Sequence, residues 1–473
     1  MPSDPRRNGD GSSEDSEIVD WDGPSDPENP LNWPQPRKRV NLLLLSVLTV
    51  ISPLGSSMFA PGVPKIMTEF NNDSSILATF VVSIYFLGFA FGPLVVAPMS
   101  EVYGRVYVYH VGNIAFTSFS IAAACSVNIG MLMAFRFLMG LVGCVPTTIG
   151  VGSIVDMIPL EKRGRAISLW AVGPLLGPCV GPLAGGYLIE AAGWRWVYGL
   201  LAIMGGIFSI LAFLIMRETY APVLLARKAS RLRIESGNSM LRGKFETKGS
   251  QHIKMALKRP FKLLLTTPLV IIVALFVGIV YGILYLLIST FSFVYPDQYH
   301  FDEGTTGLSF LPAGLGMLVG VQAFGHIHDY LVRRARKGMG PDDEYRPEVK
   351  LNPWLIVPTG LTLPIGLLIY GWTAQYRIHW IVPMLGVVVF SAGLTGTTVD
   401  SYPKFAASVS AATMLFRSLL GALMPLGGLD MYQKLGLGWG NSLLAFICLV
   451  SSPVPVLLYF YGPRLRQRFD PVL

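Results

Sequence analysis

Charged side chains inside apolar stretches are the residues of this sequence most able to do chemistry. Arg136 lies within the apolar run 130–155, and Asp156 follows at the end of that run. A charged group in the middle of such a run costs about 2.5 kcal/mol or more in a membrane unless it meets a partner or water. Arg136 is therefore predicted to be functional, the alternative being an arginine bonded to backbone carbonyls. Asp156 is the best candidate for exchanging a proton, or else it bonds to its own loop at a helix end.

A second candidate set follows the apolar run 76–97. Glu101 and Arg105 stand four residues apart in a tight loop, where they can form an ion pair, and Gly92 allows close helix packing. An exposed pair of this kind contributes only about 0–1 kcal/mol, so the alternative is a loop that is simply solvated.

Glycines and prolines form a third set, within one apolar stretch from about 166 to 189. They recur every four residues, which places them along one stripe of a helix. Each proline removes an amide donor, and each glycine lets another backbone approach closely. The stretch is predicted to be a kinkable helix suited to a moving joint, rather than only a small-residue packing face. The set comprises Gly173, Pro174, Gly177, Pro178, Gly181, Pro182, Gly185 and Gly186.

The composition indicates a membrane protein. Of 473 residues, 52% are hydrophobic and only 14% are charged, more apolar sequence than a soluble core requires. Apolar runs predict twelve spans, near 40–62, 76–97, 107–126, 130–155, 166–189, 196–216, 267–294, 307–327, 353–373, 380–399, 408–428 and 438–461. The predicted organisation is a disordered cytoplasmic tail (1–39), a six-helix bundle (40–216), a cytoplasmic central loop (217–266), a second six-helix bundle (267–461) and a C-terminal tail (462–473).

Basic residues predict the orientation. The loops assigned to the outside hold only Lys65, Arg195, Arg377 and Lys434, so both termini are expected to face the cytoplasm. The net charge of +8 reflects this bias, and no nucleic-acid partner is implied. The sequon at Asn72 falls in the first outer loop, where it is either glycosylated or too close to the next span.

The two halves of the chain resemble each other. Gly92, Glu101 and Arg105 recur as Gly320, Asp329 and Arg333, each 228 positions later. The pair Val155-Asp156 recurs as Val399-Asp400, shifted by 244 positions. Equivalent motifs in both halves predict duplicated bundles with a substrate site between them.

Several segments together resemble the major facilitator superfamily, and within it the twelve-spanner drug:proton antiporter family, fungal branch. They are GPLVVAPMSEVYGR (92–105), RFLMGLVG (136–143), RGRAISLWAVGPLLGPCVGPLAGGYL (163–188) and GWRWVY (193–198). The resemblance implies an all-α membrane protein of two pseudo-symmetric six-helix bundles. It also implies a conformational latch at Gly92, Glu101, Gly104, Arg105, Asp329 and Arg333, proton coupling through Arg136 and Asp156, and an antiporter motif in the glycine-proline stripe.

The predicted function is efflux of small organic compounds, such as drugs, toxins or the producer's own secondary metabolite, across the cell membrane by proton antiport. The alternatives are an uptake permease and a non-transporting sensor. No nucleotide-binding loop, nucleophile motif or metal-ligand cluster appears, so no enzyme, cofactor or metal is expected, and the chain is taken as a monomer. An aromatic substrate cavity is predicted from Phe59, Tyr85, Phe86, Tyr281, Tyr285 and Phe291.

Span 10 departs from its counterpart. It is about six residues shorter than span 4 and is interrupted by glycines in the segment GLTGTTVD (393–400). A short, broken helix is typical of a binding site, or else it impairs transport.

Overall fold

The chain is almost entirely helical. A computed structural model describes residues 18–245, 268–337, 353–397, 406–457 and 460–461. In these residues a helix coincides with each predicted span. They are α1 (Gln35–Ser57), α2 (Ser75–Val102), α3 (Arg105–Ala124), α4 (Ile129–Met157), α5 (Leu160–Ala192), α6 (Arg195–Ile215), α7 (Pro268–Tyr299), α8 (Leu311–Lys337), α9 (Pro353–Gln375), α10 (Ile381–Thr397), α11 (Ala406–Leu423) and α12 (Gly428–Ser451). Within the described ranges, eight helical stretches are long and apolar enough to cross a membrane.

Local residues set where the helices begin, bend and end. Ser74 and Asn128 cap α2 and α4 by accepting hydrogen bonds from the backbone N–H groups of Leu77 and Met131. Helix α4 bends at Cys144, between Ile129–Gly143 and Val145–Met157. Helix α1 ends five residues before the predicted boundary, because a 3-10 turn over Ala60–Gly62, with a proline at its centre, follows it.

The apolar core is divided in two. One cluster of buried side chains lies among α1 to α6, and the other lies mainly among α7 to α12. Leu45, Met139 and Leu201 represent the first cluster, and Leu287, Leu367 and Phe390 represent the second. Each half therefore has its own core, as expected for two bundles.

Glycines bring equivalent helices into backbone contact in both halves. A Cβ on Gly92 would overlap the carbonyl oxygen of Leu141 in α4, and a Cβ on Gly320 would approach that of Ala392 in α10. The sequence repeat is thus also a repeat of helix contacts. Fourteen residues separate Leu141 from Val155, whereas only seven separate Ala392 from Val399. The shortening of span 10 therefore falls on its predicted cytoplasmic side, next to residues 398–405, which are outside the described residues.

The N-terminal segment 18–34 is folded, in contrast to the predicted disorder. Ile18–Val19 pairs in parallel with Arg242–Gly243, and the turn Pro30–Asn32 contacts the end of α4. Trp33 is buried, with the guanidinium of Arg37 4.1 Å from its ring centroid. Residues 1–17 lie outside the described residues.

The central loop supplies the partner for this segment. Its helix Ala221–Ser236 carries the buried Lys228, whose Nζ lies 2.7 Å from Asp22 Oδ1 and 3.3 Å from Asp26 Oδ2. The backbone N–H of Asp22 donates to Asp26 and, against the effect of burial, holds the pKa of Asp26 below its ordinary value of 3.8, with Glu28 N–H and Lys228 helping. Burial alone would lower the pKa of Lys228, but Asp22 and Asp26 raise it overall. The segment 18–34 and the helix Ala221–Ser236 therefore form one charged, ordered unit.

The two halves meet at their predicted outer ends. Lys65 Nζ lies 3.1 Å from Glu303 Oε1, and the Ser75 hydroxyl donates to Asp430 at 2.5 Å. Nearer the middle, the rings of Phe86 and Tyr285 approach to 3.9 Å between centroids. These contacts close the space between the halves on the predicted outer side.

Candidate functional site

Arg136 is fully buried and bonds to backbone carbonyls. Its guanidinium donates to Val81 O at 2.6 Å, Ser56 O at 3.0 Å and Val82 O at 3.1 Å, with longer bonds to Gly55 O and the Tyr198 hydroxyl. The alternative raised from the sequence, an arginine held by carbonyls, thus describes its contacts. No carboxylate pairs with Arg136 among the described residues.

The end of α1 explains why carbonyls are available there. Gly55 and Ser56 lie in the last turn of α1, where carbonyl oxygens lack the donors that a continuing helix would provide. A cation at this end also complements the helix dipole. Phe59 adds its ring face 3.7 Å from the guanidinium carbon. Arg136 therefore caps α1 from α4 and ties α1, α2 and α4 together.

The glycine-proline stripe of α5 lies directly on α1. A Cβ on Gly177 would overlap Pro53, a Cβ on Gly185 would overlap Met58 O, and one on Gly181 would stand 2.9 Å from Ser57 Oγ. Gly173 stands against Val50, where a Cβ would lie at 3.1 Å. Pro174, Pro178 and Pro182 lie inside the same helix. The predicted close backbone approach is present along the stripe.

The other side of α5 contacts the second half of the chain. A Cβ on Gly186 would overlap Glu303 O, and one on Gly307 would stand 2.5 Å from Pro182 O. Further along, a Cβ on Gly314 would overlap Cys179. Helix α5 is therefore held between α1 of its own half and residues 303–314 of the other half.

Arg105 pairs with Asp156 rather than with Glu101. Its Nε lies 3.3 Å from Asp156 Oδ2, and its Nη1 donates to the Ser100 hydroxyl at 2.7 Å. Glu101 forms no ion pair within the described ranges. The predicted Glu101–Arg105 ion pair is wrong because α2 ends at Val102, and Gly104, at φ +95°, turns the chain before α3 begins at Arg105. The two side chains thus lose the spacing of residues on one helix face.

Glu218 completes this cluster and was not identified as a site residue from the sequence. Its carboxylate accepts the backbone N–H of Arg105 at 3.0 Å and of Val106 at 3.2 Å, at the start of α3. A carboxylate is favoured there by the N-terminal end of the helix dipole. The available signal was an acidic residue directly after span 6, in the segment ETYAPVLL (218–225). Glu218 and Asp156 thus hold the α2–α3 loop from two directions.

The two predicted proton-coupling residues lie far apart. They are twenty positions apart on α4, or about 30 Å along a helix, with Arg136 toward the predicted outer side.

The structure describes the backbone, but not the side chains, of the predicted latch residues in the second half. Asp329 and Arg333 lie in α8, but their side chains are outside the described residues, as is Asp400.

The predicted aromatic cavity residues divide into two groups. Phe59, Tyr85 and Phe291 are at most 1% exposed. Tyr85 donates to Ser52 O, and Phe291 packs on Phe310. These three belong to the packed cores. The remaining three, Phe86, Tyr281 and Tyr285, meet where the halves touch.

Asn72 lies in the first predicted outer loop. It is half-buried, and its side-chain oxygen accepts the backbone N–H of Ser74. Glycosylation at this site stays a prediction.

Curated relatives resemble the chain over nearly its whole length. The family model described as Major Facilitator Superfamily matches residues 45–425. Efflux pump radE of Floropilus chiversii is 48% identical over 466 residues, covering 96% of this chain and 85% of the relative. MFS-type transporter tndD of Aspergillus flavipes is 49% identical over 464 residues, covering 96% and 86%. MFS-type transporter penM of Penicillium rubens is 47% identical over 461 residues, covering 96% and 90%.

Solved structures share the fold at low sequence identity. A bacterial homologue of the human lysosomal transporter Spinster has a TM-score of 0.63 at 15% identity, covering 92% of this chain and 99% of that chain. A D-xylose-proton symporter has a TM-score of 0.63 at 14% identity, covering 89% and 96%. The predicted fold, an all-α membrane protein of two six-helix bundles, is confirmed.

Proposed function

The chain belongs to the major facilitator superfamily, and we propose that it is a secondary efflux transporter that exports small organic compounds in exchange for protons. The glycine-proline stripe of α5 is the observation that carries this proposal, because it faces α1 on one side and residues 303–314 on the other. The relative named as an efflux pump, at 48% identity, supports export rather than uptake. The substrates we propose are drugs, toxins or the producer's own secondary metabolite.

The stripe suits a helix that moves during alternating access. On the α5 side its contacts with α1 are made by glycines, which face the short side chains of Pro53 and Ser57 and the backbone of Met58, so no long side chain at these positions opposes a small shift. The prolines at 174, 178 and 182 remove three amide donors, which lowers the resistance of α5 to bending. Residues 303–314 contact α5 where the predicted outer side is closed. Helix α5 would therefore move both when that side closes and when it reopens.

Asp156 is the residue we propose to exchange the proton. It is half-buried at the predicted cytoplasmic end of α4, and its partner Arg105 directly follows Gly104, whose φ is +95°. Protonation of Asp156 would remove the ion pair and release the α2–α3 loop from α4. Arg136 would contribute by holding α1, α2 and α4 together as one body.

The proposed location is the cell membrane, with both termini in the cytoplasm and the transporter acting as a monomer. The charged unit formed by segment 18–34 and helix Ala221–Ser236 would then face the cytoplasm. Single cysteines placed at Asn72 and Asn238, in a chain lacking its own four cysteines, test this orientation in intact cells. A membrane-impermeant maleimide should label the first position and not the second.

Transport is tested in inside-out membrane vesicles with a panel of fluorescent aromatic dyes. An interior made acidic should drive dye accumulation, and an uncoupler should abolish it. Accumulation that requires ATP and no proton gradient would contradict the mechanism.

Asp156→Asn and Glu101→Gln form a matched pair for the proton step. Each removes one carboxylate at the same side of the protein, but only Asp156 pairs with Arg105 among the described residues. Asp156→Asn should abolish gradient-driven accumulation while dye binding remains, and Glu101→Gln should behave like the unmodified protein. Equal activity of the two variants would remove Asp156 from the mechanism.

A further inference from the structure

Two arginines of the described residues, Arg136 and Arg417, lie within the predicted membrane spans, and their surroundings differ. Arg136 uses its Nε and both terminal nitrogens to donate to oxygens of its own half. Arg417, in α11, has a buried Nε that finds no hydrogen-bond partner among the described residues. A guanidinium in an apolar setting is costly when its donors are unused. Arg417 therefore keeps at least one N–H donor that the described residues around it leave unfilled.

The rings of α7 place Arg417 beside the contact between the halves. The Arg417 guanidinium carbon lies 4.9 Å from the ring centroid of Tyr281. Tyr281 and Tyr285 are one turn apart on α7, with 6.3 Å between ring centroids, and Tyr285 touches Phe86 of the first half. Because Tyr281 shares a helix face with Tyr285, it faces the space between the halves. It lies one turn nearer the predicted cytoplasmic side.

Close packing of α7 and α11 fixes this arrangement. A Cβ on Gly421, one turn after Arg417, would overlap the ring of Tyr285, and a Cβ on Gly278 would stand 3.2 Å from Phe416 O. Arg417, Tyr281 and Tyr285 are nevertheless only half-buried, although they lie in the middle of their helices. Their accessible surface and the Phe86 contact together indicate that they line the cleft below the closed outer side.

We propose that Arg417 and Tyr281 form an anion subsite in this cleft, and that the exported compounds are aromatic molecules carrying an acidic group. This inference rests on the proposed efflux function. A planar guanidinium binds a carboxylate or sulfonate through paired, charge-assisted hydrogen bonds. The rings of Tyr281 and Tyr285 provide faces on which an aromatic frame can stack.

The test compares two dyes that share an aromatic frame and differ in charge. The anion is 8-anilinonaphthalene-1-sulfonate, and the neutral counterpart is N-phenyl-1-naphthylamine. Binding of each to the full-length protein in lipid nanodiscs is measured by fluorescence titration against empty nanodiscs. Arg417→Gln should weaken binding of the sulfonate at least tenfold and leave the neutral dye within twofold. Equal affinities of the variant and the unmodified protein for the sulfonate would overturn the proposal.

Arg377→Gln is the matched control, because Arg377 lies in an exposed loop where its Nε donates to Gln298. It should bind both dyes normally. If Arg417→Gln does not fold, competition on the unmodified protein decides the question. Naphthalene-1-sulfonate should then displace the anionic dye at a concentration at least tenfold lower than 1-naphthalenemethanol does. Displacement at equal concentrations would refute the subsite.

The binding assay and the vesicle transport assay together distinguish a failure of this inference from a failure of the proposed function. Anion binding that depends on Arg417, without gradient-driven accumulation in vesicles, would support the subsite and contradict the transport mechanism. Accumulation of both dyes that is unchanged in Arg417→Gln would support transport and overturn the subsite.

Discussion

The substitution Gly185→Ala tests most directly whether the backbones of α5 and α1 are in close contact. A Cβ at this position would overlap the carbonyl oxygen of Met58, whereas ordinary contact begins near 3.4 Å. Backbone atoms cannot move aside as a flexible side chain can, so α5 and α1 must separate. Overpacking of this kind costs about 1–3 kcal/mol. The alanine returns about 0.5–1 kcal/mol through its better helix propensity, which leaves a net destabilisation of about 1–2 kcal/mol.

Gly206→Ala is the matched control for this substitution. Gly206 lies in α6, and no atom comes within 4 Å of its added Cβ, so only the helix propensity changes. The control should be neutral or stabilised by about 0.5–1 kcal/mol. The two variants should therefore differ by about 2 kcal/mol, close to thirtyfold in an equilibrium constant.

The assay has two readouts. Thermal unfolding of the purified protein should show a melting temperature several degrees lower for Gly185→Ala than for Gly206→Ala. Dye accumulation in vesicles, normalised to protein amount, should fall in Gly185→Ala alone. If the two alanine variants melt together and transport equally, α5 and α1 do not make the backbone contact on which this reasoning depends.

Two other sites give predictions of their own. Arg136→Lys should lower transport nearly as much as Arg136→Ala, because an ammonium reaches fewer of the Val81, Ser56 and Val82 carbonyls than a planar guanidinium does. Vesicle transport at matched protein levels measures this, and full activity of the lysine variant would show that positive charge alone suffices. Lys228→Met should release segment 18–34 by removing the cation from Asp26, which keeps only the backbone N–H groups of Asp22 and Glu28, at a cost of about 1.5–3 kcal/mol. Arg231→Met breaks only the exposed pair with Glu28 and should cost at most about 1 kcal/mol. Hydrogen exchange of residues 18–34 compares the two variants, and equal protection would contradict the role of Lys228. Because the pKa of Asp26 is lowered, the Asp26 carboxylate stabilises the docked segment at pH values above 3.8, the ordinary pKa of the group. Because the pKa of Lys228 is raised, the Lys228 ammonium stabilises the segment at pH values below 10.5, its own ordinary pKa. Protection should therefore be flat from pH 5 to 8 and fall only as the pH drops through the lowered pKa of Asp26. If the protection of residues 18–34 declined between pH 7 and pH 5, titratable groups other than Asp26 and Lys228 would have to hold the segment in place.

The membrane helices could be predicted from sequence because lipid offers no hydrogen-bond partners, so long apolar runs must be helical. Hydropathy does not define where these helices end. The end of α1 depends on the turn at Ala60–Gly62, and hydropathy does not register that turn.

Contacts between distant residues could not be predicted in the same way. Lys228 and Asp26 are 202 positions apart, and no local pattern links them. Arg105 was matched with a carboxylate four residues away, but the conformation of Gly104 directs it to Asp156. Arg136 was identified by its burial cost, yet its partners are backbone oxygens, which every residue carries and no motif records.

The ion pair between Lys65 and Glu303 leaves the contact between the two halves accessible to the surrounding solution at the predicted outer side. Half of the Lys65 side chain and a quarter of the Glu303 side chain are accessible to solvent. Such a pair contributes about 0.2–1 kcal/mol, and dissolved salt screens it over a distance of about 10 Å at 0.1 M. The 3.1 Å separation of the pair lies well inside that distance, so salt at 0.1 M removes only part of this contribution, and dilute surroundings would favour closure at the predicted outer side by less than about twofold over saline ones. We therefore expect the ionic strength of the solution on the predicted outer side to affect how tightly the two halves close there.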